Sequence, residues 1–125
     1  MYKVLENLKY SKTHEWVSVD GDVATIGITD YAQASLGTVV YVEGYEIGEH
    51  VDQGAECGAV ESVKAASDIM APVSGDIIDI NDDVINDPEL LNKDPYANWI
   101  LRIRIDNEAE LDNLLDSASY KDEQK

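Results

Sequence analysis

Two stretches of this chain share one form. Gly37-Thr38-Val39-Val40-Tyr41-Val42 and Gly75-Asp76-Ile77-Ile78-Asp79-Ile80 both read Gly-x-β-β-x-β, where β is Val or Ile. Each leads through a polar, turn-rich passage into a further strand-like run, Ala59 to Val63 after the first and Trp99 to Ile105 after the second. Branching at Cβ costs rotamer freedom in a helix and packs well on a pleated surface, so these runs read as strands. Two strand–loop–strand units in one short chain predict a mainly β fold, a pseudo-twofold sandwich of short antiparallel strands. A further hairpin precedes them: the sequence alternates from Trp16 to Val19, turns at Asp20-Gly21 and resumes from Val23 to Ile28, the Asp-Gly pair suiting a turn with positive φ.

Helical signals are short. Thr29 or Asp30 can cap a helix running to Leu36, Asp30 and Gln33 have capping-box spacing, and Gly37 ends it. Residues 43–54 read as loop, as does the passage after Ile80, with Pro88 starting a helical turn that ends near Leu91. A C-terminal helix is expected from Glu108 to about Asp116, capped by Asn107, with Leu111, Leu114 and Leu115 on one face. The tail 117–125 is polar and reads as frayed, with Tyr120 a candidate for docking.

At 125 residues and 44% hydrophobic content, the chain is long and apolar enough for one globular domain, 1–125, with its core in about 5–115. A net charge of -17 excludes the basic footprint of a nucleic-acid binder and disfavours anionic membranes. It suits solubility, and equally steering toward partners with basic rims. The single cysteine, Cys57, allows no internal disulfide. No apolar run approaches the roughly 20 residues that span a bilayer, and the first residues carry neither a signal nor a transit pattern. The expectation is a cytoplasmic monomer of a bacterium.

Catalytic constellations are missing. Cys57 sits beside Glu56, which disfavours a thiolate, and reads as a buried structural cysteine. Asp79-x-Asn81-x-Asp83 opens like a calcium loop, but the required glycine and glutamate are replaced by Val84 and Leu90. No metal site and no phosphate-cradling loop follow. In Thr13-His14-Glu15-Trp16, Trp16 reads as core, and His14 and Glu15 fit a solvent-facing strand edge.

One stretch has no structural task of its own: Glu61-Ser62-Val63-Lys64-Ala65-Ala66-Ser67-Asp68, between the runs Gly58-Ala59-Val60 and Ile69-Met70-Ala71. It reads as a β-hairpin with Lys64 near its tip and small residues keeping the approach open. A lysine there is a point charge on a flexible stem, either an ordinary solvated turn residue or a group offered to another protein's active site.

Glu61-Ser62-Val63-Lys64-Ala65 resembles the lipoylation hairpin of lipoyl carriers, and specifically that of the glycine cleavage system H protein family. The resemblance continues at His14-Glu15-Trp16, at Gly27-Ile28-Thr29-Asp30-Tyr31-Ala32-Gln33, at Leu36-Gly37 and at Pro95-Tyr96 before Trp99, with uninterrupted spacing from Glu15 to Lys64. It covers roughly residues 5 to 115. Biotin carriers place Met on both sides of their lysine, whereas here the neighbours are Val63 and Ala65.

The resemblance implies the lipoyl-domain hammerhead, two similar halves with the modified lysine on one turn. It implies lipoate in amide linkage on Lys64, no enzymatic activity of the chain itself, and a shuttle. The arm would receive the aminomethyl group of glycine from the pyridoxal-phosphate-dependent glycine decarboxylase. It would then visit the aminomethyltransferase, which passes the one-carbon unit to tetrahydrofolate and releases ammonia. Dihydrolipoamide dehydrogenase would reoxidise it. Thr13, Glu15 and Asp68 become candidates for a cleft sheltering the loaded arm. Glu61, Ser62, Val63 and Ala65 become the hairpin that a lipoylating enzyme reads, Glu61 either in that role or in an i,i+3 contact with Lys64. Three places depart from the family pattern: Gly44-Tyr45 stands where Leu-Pro is common, Thr38 where an acid is usual, and Ala97-Asn98 where a glycine-containing turn is. They leave open an H-like paralogue relaying lipoate to other enzymes, and, without modification, an acidic binding module.

Overall fold

The computed structural model describes residues 2–123. Nine strands among these form two sheets: β1 (Lys9–Tyr10), β2 (Glu15–Asp20), β3 (Val23–Ile28), β4 (Val39–Gly44), β5 (His50–Val51), β6 (Glu56–Ser62), β7 (Ala66–Met70), β8 (Gly75–Ile80) and β9 (Leu101–Ile105). The larger sheet has the order β1-β2-β3-β9-β8-β5 and the smaller β4-β6-β7, with every pairing antiparallel. The main core, including Ile26, Val39, Val60, Ile69, Ile77 and Ile103, is supplied by both. A second cluster gathers Leu8, Tyr10, Trp16 and Tyr120.

The repeated Gly-x-β-β-x-β form has a structural counterpart. The first copy becomes β4 and pairs with β6 in the small sheet; the second becomes β8 and pairs with β9 in the large one. Both bulge at the same place in the motif, between Val39 and Tyr41 in one and between Ile77 and Asp79 in the other. Equivalent bulges twist the two strands alike, which supports the expected pair of similar halves.

The Asp20-Gly21 turn closes β2 on β3 with Asp20 opposite Val23 and Gly21 at φ 62°. Gly27 faces Trp16 across this pair, and a Cβ there would lie 2.6 Å from the indole; only glycine lets the ring lie flat on the strand. Helix α1 (Asp30–Leu36) is capped by Thr29, whose side chain accepts from the Ala32 amide, and ends at Gly37.

Four segments differ from the sequence expectation. The loop 43–54 contains β5, too short to show a period. Asn81 caps a helix, α2 (Asp82–Asn86), by accepting from the Asp83 amide, so part of the expected loop after Ile80 is helical. In the same passage the expected helical turn after Pro88 is present as α3 (Leu90–Lys93). The expected leucine helix is a 3₁₀ helix, Glu108–Asn113, capped by Asn107 as foreseen. It stops early because Leu115 exchanges two backbone hydrogen bonds with Tyr10, 2.8 and 2.7 Å, which demands extended chain.

The tail is the fourth difference. Residues 117–123 form helix α4 (Ser117–Glu123), and its docking rests on Tyr120, which is fully buried. Its ring stacks on Tyr10 at 4.5 Å, and its hydroxyl lies 2.6 Å from Thr29 Oγ1 and 2.8 Å from His14 Nδ1. One aromatic anchor outweighs a polar composition. Residues 124 and 125 of the expected tail lie outside the described residues.

Candidate functional site

Strands β6 and β7 form the expected hairpin, paired from Glu61 opposite Ala66 down to Glu56 opposite Met70. The tip is built by Ser62. Its amide donates to the Ala65 carbonyl at 2.8 Å, while its Oγ accepts from the amides of Lys64 (3.3 Å) and Ala65 (3.1 Å). A serine hydroxyl folding back on the following amides is the usual device of a tight turn. The Val63 amide donates to the Thr38 carbonyl at 3.1 Å, tying the tip to the start of β4.

Lys64 is therefore held by backbone bonds while its side chain stays exposed, beside Val63 at 72% exposure and the exposed Ala65. Its Cε would lie 3.4 Å from a Cβ placed on Gly37, so the stem passes over the glycine that ends α1. Glu61 is exposed one turn away, and among the described residues the ion pairs include none between Glu61 and Lys64.

At the root of the hairpin the structure corrects the strand-edge reading of Glu15. Glu15 is 2% exposed. Its Oε1 accepts from Ser11 Oγ and Thr13 Oγ1, both at 2.5 Å, and its Oε2 accepts from the Met70 amide at 3.3 Å. Burial pushes the Glu15 carboxyl above its usual range, and these hydrogen bonds pull it partly back. His14, at φ 72°, turns the chain so that Ser11 and Thr13 converge on Glu15; its own titration is lowered by burial. Cys57 is fully buried and its thiol is pushed up to about 12, first by burial and then by the charge of Glu15. It is a packing residue, as expected.

Above Glu15 opens a groove of about 330 Å³, lined among others by Ser11, Thr13, Gln53, Met70, Pro72 and Leu114. The structure thus brings Thr13 and Glu15 together beneath one groove. Asp68 is on β7 two residues from Met70 but does not line it. Its carboxyl faces Glu56, whose charge raises it above the usual range, and Glu56 in turn accepts from Tyr45 Oη at 2.9 Å.

Sequence reasoning missed Ser11, Gln53 and Leu114 as groove residues. Gln53 clamps the far wall: its side-chain amide donates to the carbonyls of Pro72 (2.9 Å) and Glu110 (3.0 Å). No local pattern marks it, because its partners are 19 and 57 residues away. Among the described residues no helix is long and apolar enough to cross a membrane.

A surface lysine on a serine-held tip, with a carboxylate buried at the root of the same hairpin, can be compared with known proteins. The family model described as glycine cleavage H-protein matches residues 8–125. The chain belongs to the glycine cleavage H-protein family. It is 50% identical over 119 residues to the glycine cleavage system H protein of Thermoanaerobacter sp. (strain X514), covering 95% of this chain and 94% of the relative. Against that of Carboxydothermus hydrogenoformans it is 50% identical over 122 residues, 97% and 94% of the two chains. Among solved structures, a glycine cleavage system H protein from Mycobacterium marinum superposes with a TM-score of 0.85 at 34% identity, covering 95% of this chain and 97% of that one. Family membership makes this chain a lipoyl carrier of the glycine cleavage system.

Proposed function

We propose that Lys64 carries lipoate in amide linkage and that the loaded arm shelters in the groove above Glu15. The observation that carries this reading is the presentation of Lys64: a backbone-fixed tip, an exposed ammonium, and small or slender neighbours. Lipoate fits this position, since an amide on the lysine nitrogen needs only an accessible side chain and a tip an enzyme can grip. Glu61, Ser62, Val63 and Ala65 form the surface the lipoylating enzyme reads.

When bound, lipoate supplies the disulfide that takes up the aminomethyl group as glycine loses its carboxylate. The chain needs no catalytic residue of its own; it binds, orients and excludes water. From Ala66 to Met70 the hairpin runs about 13 Å toward the groove. A cationic amine there meets the hydroxyl of Thr13 and, below it, the carboxylate of Glu15, a charge-assisted pairing strengthened by low local dielectric. Asp68, outside the groove, acts at its approach through long-range attraction. The partners are then the glycine decarboxylase, the aminomethyltransferase that hands the carbon to tetrahydrofolate, and dihydrolipoamide dehydrogenase. The chain works as a monomer in the cytoplasm.

The test is reconstitution of the lipoylated protein with the decarboxylase and glycine. The arm is expected to load on Lys64, and the adduct of Glu15→Gln to hydrolyse about tenfold faster than that of the wild type, one charge-assisted contact being lost. Equal hydrolysis rates would remove Glu15 from the role; an unloaded wild-type arm would remove the shuttle.

A further inference from the structure

The groove above Glu15 depends on a loop whose two ends meet one buried ring. Ser11 and Thr13, the two hydroxyls on the Glu15 carboxylate, lie between Tyr10 and His14. The loop closes on itself. The Ser11 amide donates to the Glu15 carbonyl at 2.9 Å, the His14 amide to the Ser11 carbonyl at 3.2 Å, and the Glu15 amide to Ser11 Oγ at 3.0 Å. Both of its ends touch Tyr120 of α4. The Tyr10 ring lies within 6° of parallel to that of Tyr120, and His14 meets the Tyr120 hydroxyl through Nδ1. At φ 72° His14 holds a left-handed backbone, uncommon outside glycine, that its surroundings must support. Tyr31, stacked on the imidazole at 4.4 Å, supplies part of that support. A wall residue follows the same anchor, since Leu114 lines the groove one position before Leu115, whose backbone bridges to Tyr10.

We infer that Tyr120 is a positioning residue for the groove, holding Tyr10 and His14 so that Ser11 and Thr13 stay on the Glu15 carboxylate and the loaded arm stays covered. The inference rests on the arm sheltering in that groove. Packing alone does not account for a tyrosine here, because phenylalanine would fill the same space. The Tyr120 hydroxyl lies 2.6 Å from Thr29 Oγ1 and 2.8 Å from His14 Nδ1, and both Tyr120 and Thr29 are fully buried. A buried hydroxyl is costly without partners, so these groups fix one another. Thr29 also caps α1 by accepting from the Ala32 amide, and its own amide donates to the His14 carbonyl at 3.1 Å. His14 is thus held at its ring and at its carbonyl. Helix α4 spans seven residues, of which Tyr120 alone is buried. A helix fastened at one point opens locally at lower cost than the whole domain unfolds, and each opening releases both ends of the loop. The lifetime of the adduct is thereby tied to a ring that does not line the groove.

Tyr120→Phe removes the hydroxyl and keeps the stack on Tyr10. Two quantities are compared with wild type: amide hydrogen exchange of the unloaded protein, and hydrolysis of the aminomethyl adduct on the lipoylated protein loaded with glycine and the decarboxylase. Val84→Ala, a truncation of a buried residue in α2 away from the groove lining, is the control for general destabilisation. In Tyr120→Phe the His14 and Glu15 amides are expected to exchange about tenfold faster and the adduct to hydrolyse about fivefold faster, both staying within about twofold of wild type in Val84→Ala. Tyr120→Ala is expected to raise hydrolysis about tenfold. In a Glu15→Gln background Tyr120→Phe should change hydrolysis by less than about 1.5-fold, because its effect runs through that carboxylate. A merely structural residue would add the same factor in both backgrounds. Should Tyr120→Ala fail to fold, Tyr120→Phe alone carries the test. A long-lived wild-type adduct with unchanged hydrolysis in Tyr120→Phe overturns the inference alone, and so does an equal factor in both backgrounds. A wild-type adduct as short-lived as on the urea-unfolded chain overturns the sheltering reading, and this inference with it.

Discussion

At the tip of the β6–β7 hairpin Lys64 stands in solvent, fixed through its backbone alone, whereas at the root Glu15 is 2% exposed with three donors on its carboxylate. One charge remains hydrated, so the fold neither gains nor loses much by holding it. The other is stripped of water, and its neighbours exist to satisfy it. A single hairpin thus joins an exposed lysine at its tip to a buried, hydrogen-bonded carboxylate at its root. Substitution of Lys64 itself is expected to alter function without stability, and substitutions at the root to alter both.

The largest effect is expected at the tip. Lys64→Arg abolishes arm loading completely, as guanidinium cannot take the amide, and leaves the unfolding midpoint unchanged; intact mass and a melting curve check both. At the root, Glu15→Ala leaves the hydroxyls of Ser11 and Thr13 and the Met70 amide without their acceptor. Denaturant unfolding should show a loss of about 2–3 kcal/mol.

Glu15→Gln sharpens the contrast through pH. The folded Glu15 carboxyl is raised above its unfolded value, so its contribution is fully present below the unfolded value and is lost as pH rises through the folded one. The stability of the wild type relative to Glu15→Gln should therefore decline as pH rises from about 4.3 and level off above the raised value. A flat difference would place the carboxylate in water. The smallest effect is Ser62→Ala, which deprives the tip amides of an acceptor. It should cost about 0.5–1 kcal/mol and speed hydrogen exchange at Ala65.

Much of this contrast can be read in the chain without coordinates, but unevenly. The tip is local: Ser62, Lys64 and Ala65 lie within four positions, and the turn follows from residue types alone. The two halves show as a repeated glycine and β-branched pattern. The root is not local. Glu15 is buried because β7 brings the Met70 amide to it across 55 residues, which no alternation in Glu15-Trp16-Val17 records, and so an acid beside a core tryptophan reads as surface. Strand β5, two residues long, has no period to detect, and α4 is held by the single ring of Tyr120 in an otherwise polar tail. Asp68 marks the opposite limit. Its position along the hairpin places it near the arm, yet its carboxyl is drawn to Glu56 instead of the groove.

The most direct measurement is intact mass followed by peptide mapping of the protein isolated from its own host. A single lipoyl increment located on Lys64 is the predicted result. A fully unmodified Lys64, in cells whose other lipoyl proteins are modified, would contradict the account.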